Sequence, residues 1–282
     1  MTKTRIGAPS TVRLCAAVVS VALCELVAGQ PAAPRAKTAV LALDPYFRDL
    51  RTVRVSATGR PLTMLLDTGG GATLIAPDVA RQIGCAPFGR DVGHRMTGET
   101  VEFQRCEALA VSSGAWQRRL EPVAVFDIGG LLPPELPKLD GVLALDAFDG
   151  EVVTLDWPAR TLTVHSRDDA PAALRRSGVP VRIATGDSGR FYSALLPVAA
   201  SRGSLWFLLD SGNIRGTLVA RHALRDGSLE LGANGEAALT IGRRPAVRLR
   251  TEAADLDIDG ALGTAYLLLG PVTLDLRGRT VQ

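Results

Sequence analysis

An internal repeat constrains the fold of this chain more than any other feature of its sequence. Residues 54–69 align without gaps on residues 197–212, at an offset of 143 residues. Both segments read as a strand, a tight turn, a second strand and then an acid-hydroxyl-glycine triplet. Further on, residues 140–148 match residues 259–267, each starting with Asp-Gly and two apolar residues. Residues 153–161 match residues 272–280 at the same offset of 119. Matching blocks in one order indicate two copies of a single β-rich unit.

The repeat predicts two domains of unequal size. We place the first copy at residues 46–166 and the second at residues 179–282, with residues 167–178 as a polar linker and residues 30–45 as an N-terminal extension. Between the triplet and the second block the first copy carries 24 residues that the second lacks. Much of this surplus falls between Gly89 and Trp116, where residues 93–100 read as the tip of a hairpin.

Composition supports an all-β fold and excludes one large class of partner. The chain has 282 residues, 46% of them hydrophobic, with 29 Gly and 17 Pro, as in a folded protein with many turns. Its formal net charge is +3, and the excess of basic residues lies almost entirely in the first 29 residues. The net charge of the remainder is close to zero and offers no case for nucleic acid, so we predict no binding to it.

The N-terminus reads as an export signal. A basic start leads into the apolar residues 14–27 and then into Ala-Gly-Gln-Pro, so residues 1–29 are predicted to be a cleaved signal peptide. The apolar run is too short to span a bilayer comfortably. We therefore expect a periplasmic or secreted protein without stable membrane insertion. An uncleaved signal that anchors the chain in a membrane is the alternative.

Two cysteines remain after this cleavage, and they suggest one disulfide. Cys85 follows a short helix-like stretch and Cys106 follows the hairpin, so a bridge would tie the base of the hairpin to its domain. Two buried free thiols are the alternative. Neither the cysteine spacing nor the three scattered histidines fits a metal site, so no metal and no cofactor is predicted.

The two triplets carry the chemistry of the chain. Each follows a strand of bulky apolar residues, so Asp67 and Asp210 are expected to be poorly solvated. Brought together at the axis of the repeats, two carboxyls can share one proton and act as one acid and one base. The remaining triplet residues are expected to support the two loops, the hydroxyls by bracing them and the glycines by permitting the turn: Thr68, Gly69, Ser211 and Gly212.

This pair of apolar-Asp-(Thr/Ser)-Gly segments, each followed by an Asp-Gly-apolar-apolar block, resembles the aspartic proteases. The similarity is greatest to bacterial retropepsin-like proteases joined head to tail. It implies a bilobal fold of two small β-barrels with a cleft between them. It also implies an aspartic endopeptidase in which Asp67 and Asp210 activate water to hydrolyse an extended peptide. The hairpin tip would then be a flap that binds the substrate through Gly93, His94, Arg95, Met96, Thr97 and Gly98.

Three positions depart from the pattern of that family. Gly70 and Asn213 stand after the triplets where Ala, Ser or Thr is usual, and Ala144 replaces a glycine of the crossing strand. These changes leave open a second interpretation, a catalytically weakened exported protein that binds a peptide or another ligand. A monomer containing both halves of the site is expected. A homodimer that builds its sites between chains is the alternative.

Overall fold

Short apolar segments separated by turns form strands throughout the chain. The computed structural model describes residues 38–166, 168–185 and 192–282; the predicted signal peptide lies outside them. This part of the chain contains the strands β1 (Ala39–Pro45), β2 (Arg51–Ala57), β3 (Arg60–Leu66), β4 (Leu74–Ile75), β5 (Phe88–His94), β6 (Thr100–Cys106), β7 (Leu109–Ser113), β8 (Trp116–Leu120), β9 (Val123–Val125), β10 (Gly141–Leu143), β11 (Val152–Asp156), β12 (Thr161–His165), β13 (Val179–Pro180), β14 (Arg182–Thr185), β15 (Tyr192–Ala200), β16 (Gly203–Leu209), β17 (Thr217–Ala220), β18 (Glu236–Leu239), β19 (Val247–Ala254), β20 (Gly260–Leu262), β21 (Val272–Asp275) and β22 (Thr280–Val281).

Within these described ranges the helices are few and short. They are α1 (Pro77–Gln82), α2 (Ala172–Ser177), α3 (Arg221–Arg225) and α4 (Thr264–Leu267), with 3-10 turns at Ile128–Leu131 and Leu145–Phe148. Among the residues that the structure describes, no helix is long and apolar enough to cross a membrane. The prediction of an all-β fold is confirmed.

Both copies of the repeat build the same local sheet. In the first copy, β10 inserts parallel to β3 and antiparallel to β4. In the second copy, β20 inserts parallel to β16 and antiparallel to β17. The aspartate that opens each inserted block accepts a hydrogen bond from a backbone amide of the neighbouring strand. These bonds are Thr63 N to Asp140 at 2.7 Å and Trp206 N to Asp259 at 2.7 Å.

A shared sheet joins the two lobes near their symmetry axis. Its strands run in the order β13, β22, β21, β11, β12 and β1, so the two repeats meet where β11 pairs with β21. Thr154 lies directly opposite Thr273, and their hydroxyls are 2.9 Å apart. These two threonines occupy equivalent positions in the repeat. The seven-stranded sheet of β14 to β20 completes the second lobe.

Two of the predicted segments contain secondary structure in the described part of the chain. The range 30–45, predicted as an extension, includes β1, which pairs with both β2 and β12. Its residues Leu41 and Leu43 are buried, so their apolar side chains make this strand part of the core. The range 167–178, predicted as a linker, contains the helix α2.

The surplus of the first copy takes the form of an additional long hairpin. Strands β5 and β6 pair antiparallel, and the turn closes with Gly98 N donating to Arg95 O at 2.9 Å. At the base of this hairpin, Cys85 and Cys106 form a disulfide with their Cα atoms 5.9 Å apart. The predicted bridge is therefore confirmed, and it fixes the end of β6 to the segment that follows α1.

We predict that this bridge stabilises the fold. Replacing both Cys85 and Cys106 with alanine is expected to lower the free energy of unfolding by about 2–4 kcal/mol, because the bridge closes a loop in the unfolded chain. Chemical denaturation of the oxidised proteins measures this difference. As a control, a reductant should lower the midpoint of the wild type and leave that of the variant unchanged. Equal midpoints for the two oxidised proteins would contradict the prediction.

Candidate functional site

The inserted strands position the two acidic triplets. Strand β3 ends at Leu66, whose side chain is buried, and the next amide, that of Asp67, donates to Leu143 O at 3.0 Å. The second copy repeats this contact, because Asp210 N donates to Leu262 O at 2.9 Å. Each aspartate is therefore fixed at the end of a buried strand by the strand inserted beside it.

The two triplets brace each other through their hydroxyl residues. Thr68 Oγ1 donates to Leu209 O at 2.7 Å and accepts from Ser211 N at 3.0 Å. Reciprocally, Ser211 Oγ donates to Leu66 O at 2.8 Å and accepts from Thr68 N at 3.0 Å. Both hydroxyl side chains are buried. Four mutual hydrogen bonds therefore link the loops across the symmetry axis, as the sequence predicts for these hydroxyls.

The bracing brings the two carboxyl groups together. Asp67 and Asp210 form a side-chain hydrogen bond with each other. Gly69 N donates to Asp67 Oδ1 at 2.9 Å, and Gly212 N donates to Asp210 Oδ1 at 3.1 Å. A Cβ atom on either glycine would overlap the carboxyl group of the opposite loop. Glycine is therefore required at both positions by the close approach of the two loops.

Burial dominates the electrostatics of this pair. Asp210 is only 4% exposed, and this burial raises the pKa of its carboxyl group well above the ordinary value. The neighbouring charge of Asp67 raises the pKa of Asp210 further. Burial also raises the pKa of Asp67, although the Gly69 amide and the hydrogen bond with Asp210 oppose that shift. The pair therefore favours holding one shared proton.

A proton shared in this way gives the site two complementary capacities. The protonated carboxyl can donate a hydrogen bond, and the ionised carboxyl can accept one. Because both groups are held by backbone amides and by the braced loops, they present a fixed donor and acceptor side by side. This arrangement suits a ligand that offers a carbonyl beside a hydroxyl or an amide.

The departures noted in the sequence alter the surroundings of the pair. Gly70 lies against Asp67 Oδ2, where a Cβ would be 3.1 Å from that oxygen, and it brings no hydroxyl. The Asn213 side chain is engaged in its own loop: its Nδ2 donates to Gly216 O at 2.9 Å, and its Oδ1 accepts from Arg215 N at 2.9 Å. Neither residue supplies a side-chain hydroxyl to its carboxyl group.

Ala144 is accommodated by a difference in loop length. A Cβ on its counterpart Gly263 would overlap the Gly216 backbone. In the first copy the chain reaches Thr73 six residues after Asp67. In the second copy it reaches the equivalent Thr217 seven residues after Asp210. The two loops therefore take different paths, and the Ala144 amide instead donates to Thr73 Oγ1 at 3.1 Å.

The predicted flap residues contact the second lobe at the hairpin tip. Met96 O accepts from Asp257 N at 2.9 Å, and Met96 packs against an apolar cluster of the second lobe that includes Leu208 and Leu256. A Cβ on Gly98 would lie 2.9 Å from Asp257 Oδ2. The other predicted flap residues lie around this contact, with Gly93 buried and three exposed: His94, Arg95 and Thr97. A role of this tip in ligand binding stays a prediction.

Sequence reasoning missed a second pair of residues at the site. The carboxylate of Asp146 accepts from Thr73 N at 2.9 Å and from Thr73 Oγ1 at 2.6 Å. Burial raises the pKa of Asp146, although its hydrogen bonds with Thr73 oppose the shift. The signal in the sequence was an acidic residue inside the otherwise apolar block after Asp140, at a position where the second copy has Ala265.

No grouping of three or more histidine, cysteine, aspartate or glutamate side chains suited to a metal ion occurs among residues 38–166, 168–185 and 192–282.

Comparison with known proteins gives the fold of the chain. Its structure is similar to that of basic 7S globulin from soybean, with a TM-score of 0.53 and 10% sequence identity over 88% of this chain and 94% of that chain. Conglutin gamma, a basic 7S globulin from lupine seeds, gives a TM-score of 0.52 and 11% identity over the same shares. The fold is that of the aspartic proteases. Its two lobes are small β-barrels with a cleft between them, as predicted.

The same comparisons correct two predictions. No family model matches the sequence, and no curated protein matches it. Both solved structures named above are globulins, so the assignment to retropepsin-like proteases is contradicted. The prediction of an active aspartic endopeptidase is contradicted on the same ground. The physical reason for the error is that a buried carboxyl pair on this fold fixes a geometry, and the same geometry is compatible with binding alone.

The mutual bracing of the loops predicts a large difference between two threonine substitutions. Thr68→Val is expected to lower the free energy of unfolding by about 2–4 kcal/mol, because it removes two hydrogen bonds and leaves the buried Ser211 amide without a partner. Thr217→Val is the matched control, since its buried hydroxyl has no hydrogen-bond partner and its loss should cost nothing. Urea denaturation measures both, and equal losses would show that the bracing does not stabilise the fold.

The raised pKa of Asp210 predicts a pH dependence of stability. An unfolded aspartate releases its proton near pH 3.8, whereas folded Asp210 keeps it to higher pH. The folded state therefore loses stability as the pH rises from about 4 through the raised pKa. Asp210→Asn has no such proton, so its stability relative to the wild type should increase over this range.

Urea denaturation at a series of pH values measures this difference. The control is Asp44→Asn, which changes an exposed carboxylate paired with the exposed Arg54. A stability difference between Asp210→Asn and the wild type that does not change with pH would contradict the raised pKa.

Proposed function

We propose that this protein is a non-catalytic binding protein with the aspartic-protease fold, and that it holds an extended peptide at the Asp67–Asp210 pair. The observation that carries this proposal is the buried carboxyl pair, held rigidly between the lobes by the hydrogen bonds of Thr68 and Ser211. Keeping two carboxyls in a buried site costs stability, so their retention favours a role in recognition.

The chemistry of the pair favours a ligand with alternating acceptors and donors. A carboxyl that donates and a carboxylate that accepts can bind a carbonyl and an amide or hydroxyl of the same molecule. A peptide backbone presents these groups at regular spacing. The globulins that share the fold support binding in preference to hydrolysis, and Gly70 and Asn213 leave both carboxyls without a side-chain hydroxyl donor.

The long hairpin favours an extended form of the peptide. Strand β5 ends the larger sheet in the described part of the chain, so one of its edges faces no other strand there. Its apolar residues Phe88 and Val92 are 42% and 47% exposed. A peptide that adds to such an edge gains backbone hydrogen bonds along its length. The hairpin tip touches the second lobe at Asp257, so β5 and the carboxyl pair would contact one extended ligand from two sides.

We also propose export and a monomeric state. The disulfide supports an oxidising compartment, and both carboxyls of the site come from one chain. The predicted absence of nucleic-acid and membrane partners stays a prediction from charge and hydropathy.

Binding of a library of fluorescent, unstructured peptides to the purified protein, from about pH 4 to about pH 8, tests the proposal. We expect wild-type binding that weakens as the pH rises and the shared proton is lost. Asp67→Asn and Asp210→Asn should each lower the affinity for the tightest-binding peptide by about tenfold or more. Asp44→Asn should leave its affinity unchanged.

Mass spectrometry of the peptides recovered after binding completes the test. Intact peptides are expected. Peptides that the wild type cleaves and that both variants leave intact would show the chain to be catalytic and would overturn the proposal. Equal affinity of the wild type and both variants, or no binding at any pH, would show that the carboxyl pair is not a peptide site.

A further inference from the structure

The two loops that carry the carboxyls are anchored differently at their far ends. Strand register identifies the equivalent residues: Gly141 pairs with Ile75 in the first copy, and Gly260 pairs with Val219 in the second. Thr73 lies two residues before Ile75, and Thr217 lies two residues before Val219. Each threonine ends a loop that carries one of the two carboxyls. Both are buried, so each hydroxyl must find a partner inside the protein or remain without one.

In the first copy the hydroxyl is fully engaged. Thr73 Oγ1 donates to Asp146 Oδ1 at 2.6 Å and accepts from Ala144 N at 3.1 Å. The Asp146 carboxylate also accepts from Thr73 N and from Ala147 N, both at 2.9 Å. This carboxylate comes from the 3-10 turn that follows β10. It therefore fixes the end of the Asp67 loop to the inserted strand by a compact set of charge-assisted hydrogen bonds.

In the second copy this anchor is missing. The residue equivalent to Asp146 is Ala265, in the helix α4 that follows β20. Thr217 is 1% exposed, and its Oγ1 has no hydrogen-bond partner. An unsatisfied buried hydroxyl costs free energy. The Thr217 hydroxyl is unsatisfied because the second copy has no carboxylate at the position of Asp146.

From this difference we infer that Asp146 is a positioning residue. It anchors the far end of the Asp67 loop. The Asp210 loop is closed by the Asn213 side chain but lacks such an anchor, so it opens more readily and is stabilised further when ligand binds. This inference rests on the proposed binding function for its ligand-dependent part only. The difference between the two loops in the free protein stands independently. The far end of the Asp67 loop is thus anchored more firmly than the far end of the Asp210 loop.

Hydrogen exchange of the full chain, measured by mass spectrometry without ligand, tests the positioning role. We expect the amides of residues 69–73 to exchange about tenfold more slowly than those of residues 212–217. Asp146→Ala should raise exchange in the first loop about tenfold and leave the second loop unchanged. Equal exchange of the two loops in the wild type, or no change in Asp146→Ala, would overturn the inference.

Conservative variants keep the test decisive if Asp146→Ala does not fold. Thr73→Ser retains the hydroxyl and should keep slow exchange in residues 69–73, whereas Thr73→Val should lose it. The reciprocal change Ala265→Asp supplies a carboxylate near Thr217 and should slow exchange in residues 212–217 several-fold. Unchanged exchange in Ala265→Asp, or slow exchange retained in Thr73→Val, would show that the carboxylate–hydroxyl anchor does not control these loops.

A second arm adds the tightest-binding peptide from the binding experiment. Protection should increase more in residues 212–217 than in residues 69–73. Equal protection of both loops would overturn the further stabilisation of the Asp210 loop by ligand while leaving the binding function intact. A failure of all peptides to bind would remove the binding function, and the exchange of the free protein would still decide the positioning role.

Discussion

The structure depends on the reciprocal hydrogen bonds between Thr68 and Ser211. They connect the ends of two buried strands, β3 and β16, which belong to different lobes. Without them, two desolvated carboxyls would have to be held together against their own repulsion. With them, the hydrogen bonds hold the two loops together, and a proton shared between the carboxyls reduces their electrostatic repulsion. The close approach explains why Gly69 and Gly212 have no room for a side chain.

Around this centre, the pseudo-symmetry is strict where the loops meet and relaxed further away. The inserted strands β10 and β20 and the opposed residues Thr154 and Thr273 follow the two-fold relation closely. In the part of the chain that the structure describes, the long β5–β6 hairpin has no counterpart in the second lobe, and its tip hydrogen-bonds to Asp257 of that lobe. The first lobe thus contributes the internally anchored half of the site and also reaches across to its partner lobe.

The fold itself could be predicted from the sequence because its signal is repeated. One Asp-Thr-Gly triplet is compatible with many turns, whereas two triplets on matched apolar strands predict a shared axis. The same logic placed Asp67, Asp210, Thr68 and Ser211, since residues at an axis of symmetry must meet. The disulfide followed from the cysteine count and the position of Cys106 beside the hairpin. Activity could not be predicted in this way, because hydrolysis and binding use the same residue types on the same fold.

The sequence by itself determined the two-copy architecture, the pairing of the carboxyls and the residues that brace them, since periodicity and the repeat offset encode these directly. Only the tertiary structure decided which residues lie behind the loops. The contact of Asp146 with Thr73 spans 73 residues, and the absence of its counterpart at Thr217 follows from one alanine in a distant helix. The contact of Met96 with Asp257 joins segments of opposite lobes. Such contacts depend on how the chain packs in three dimensions, so local sequence patterns do not predict them.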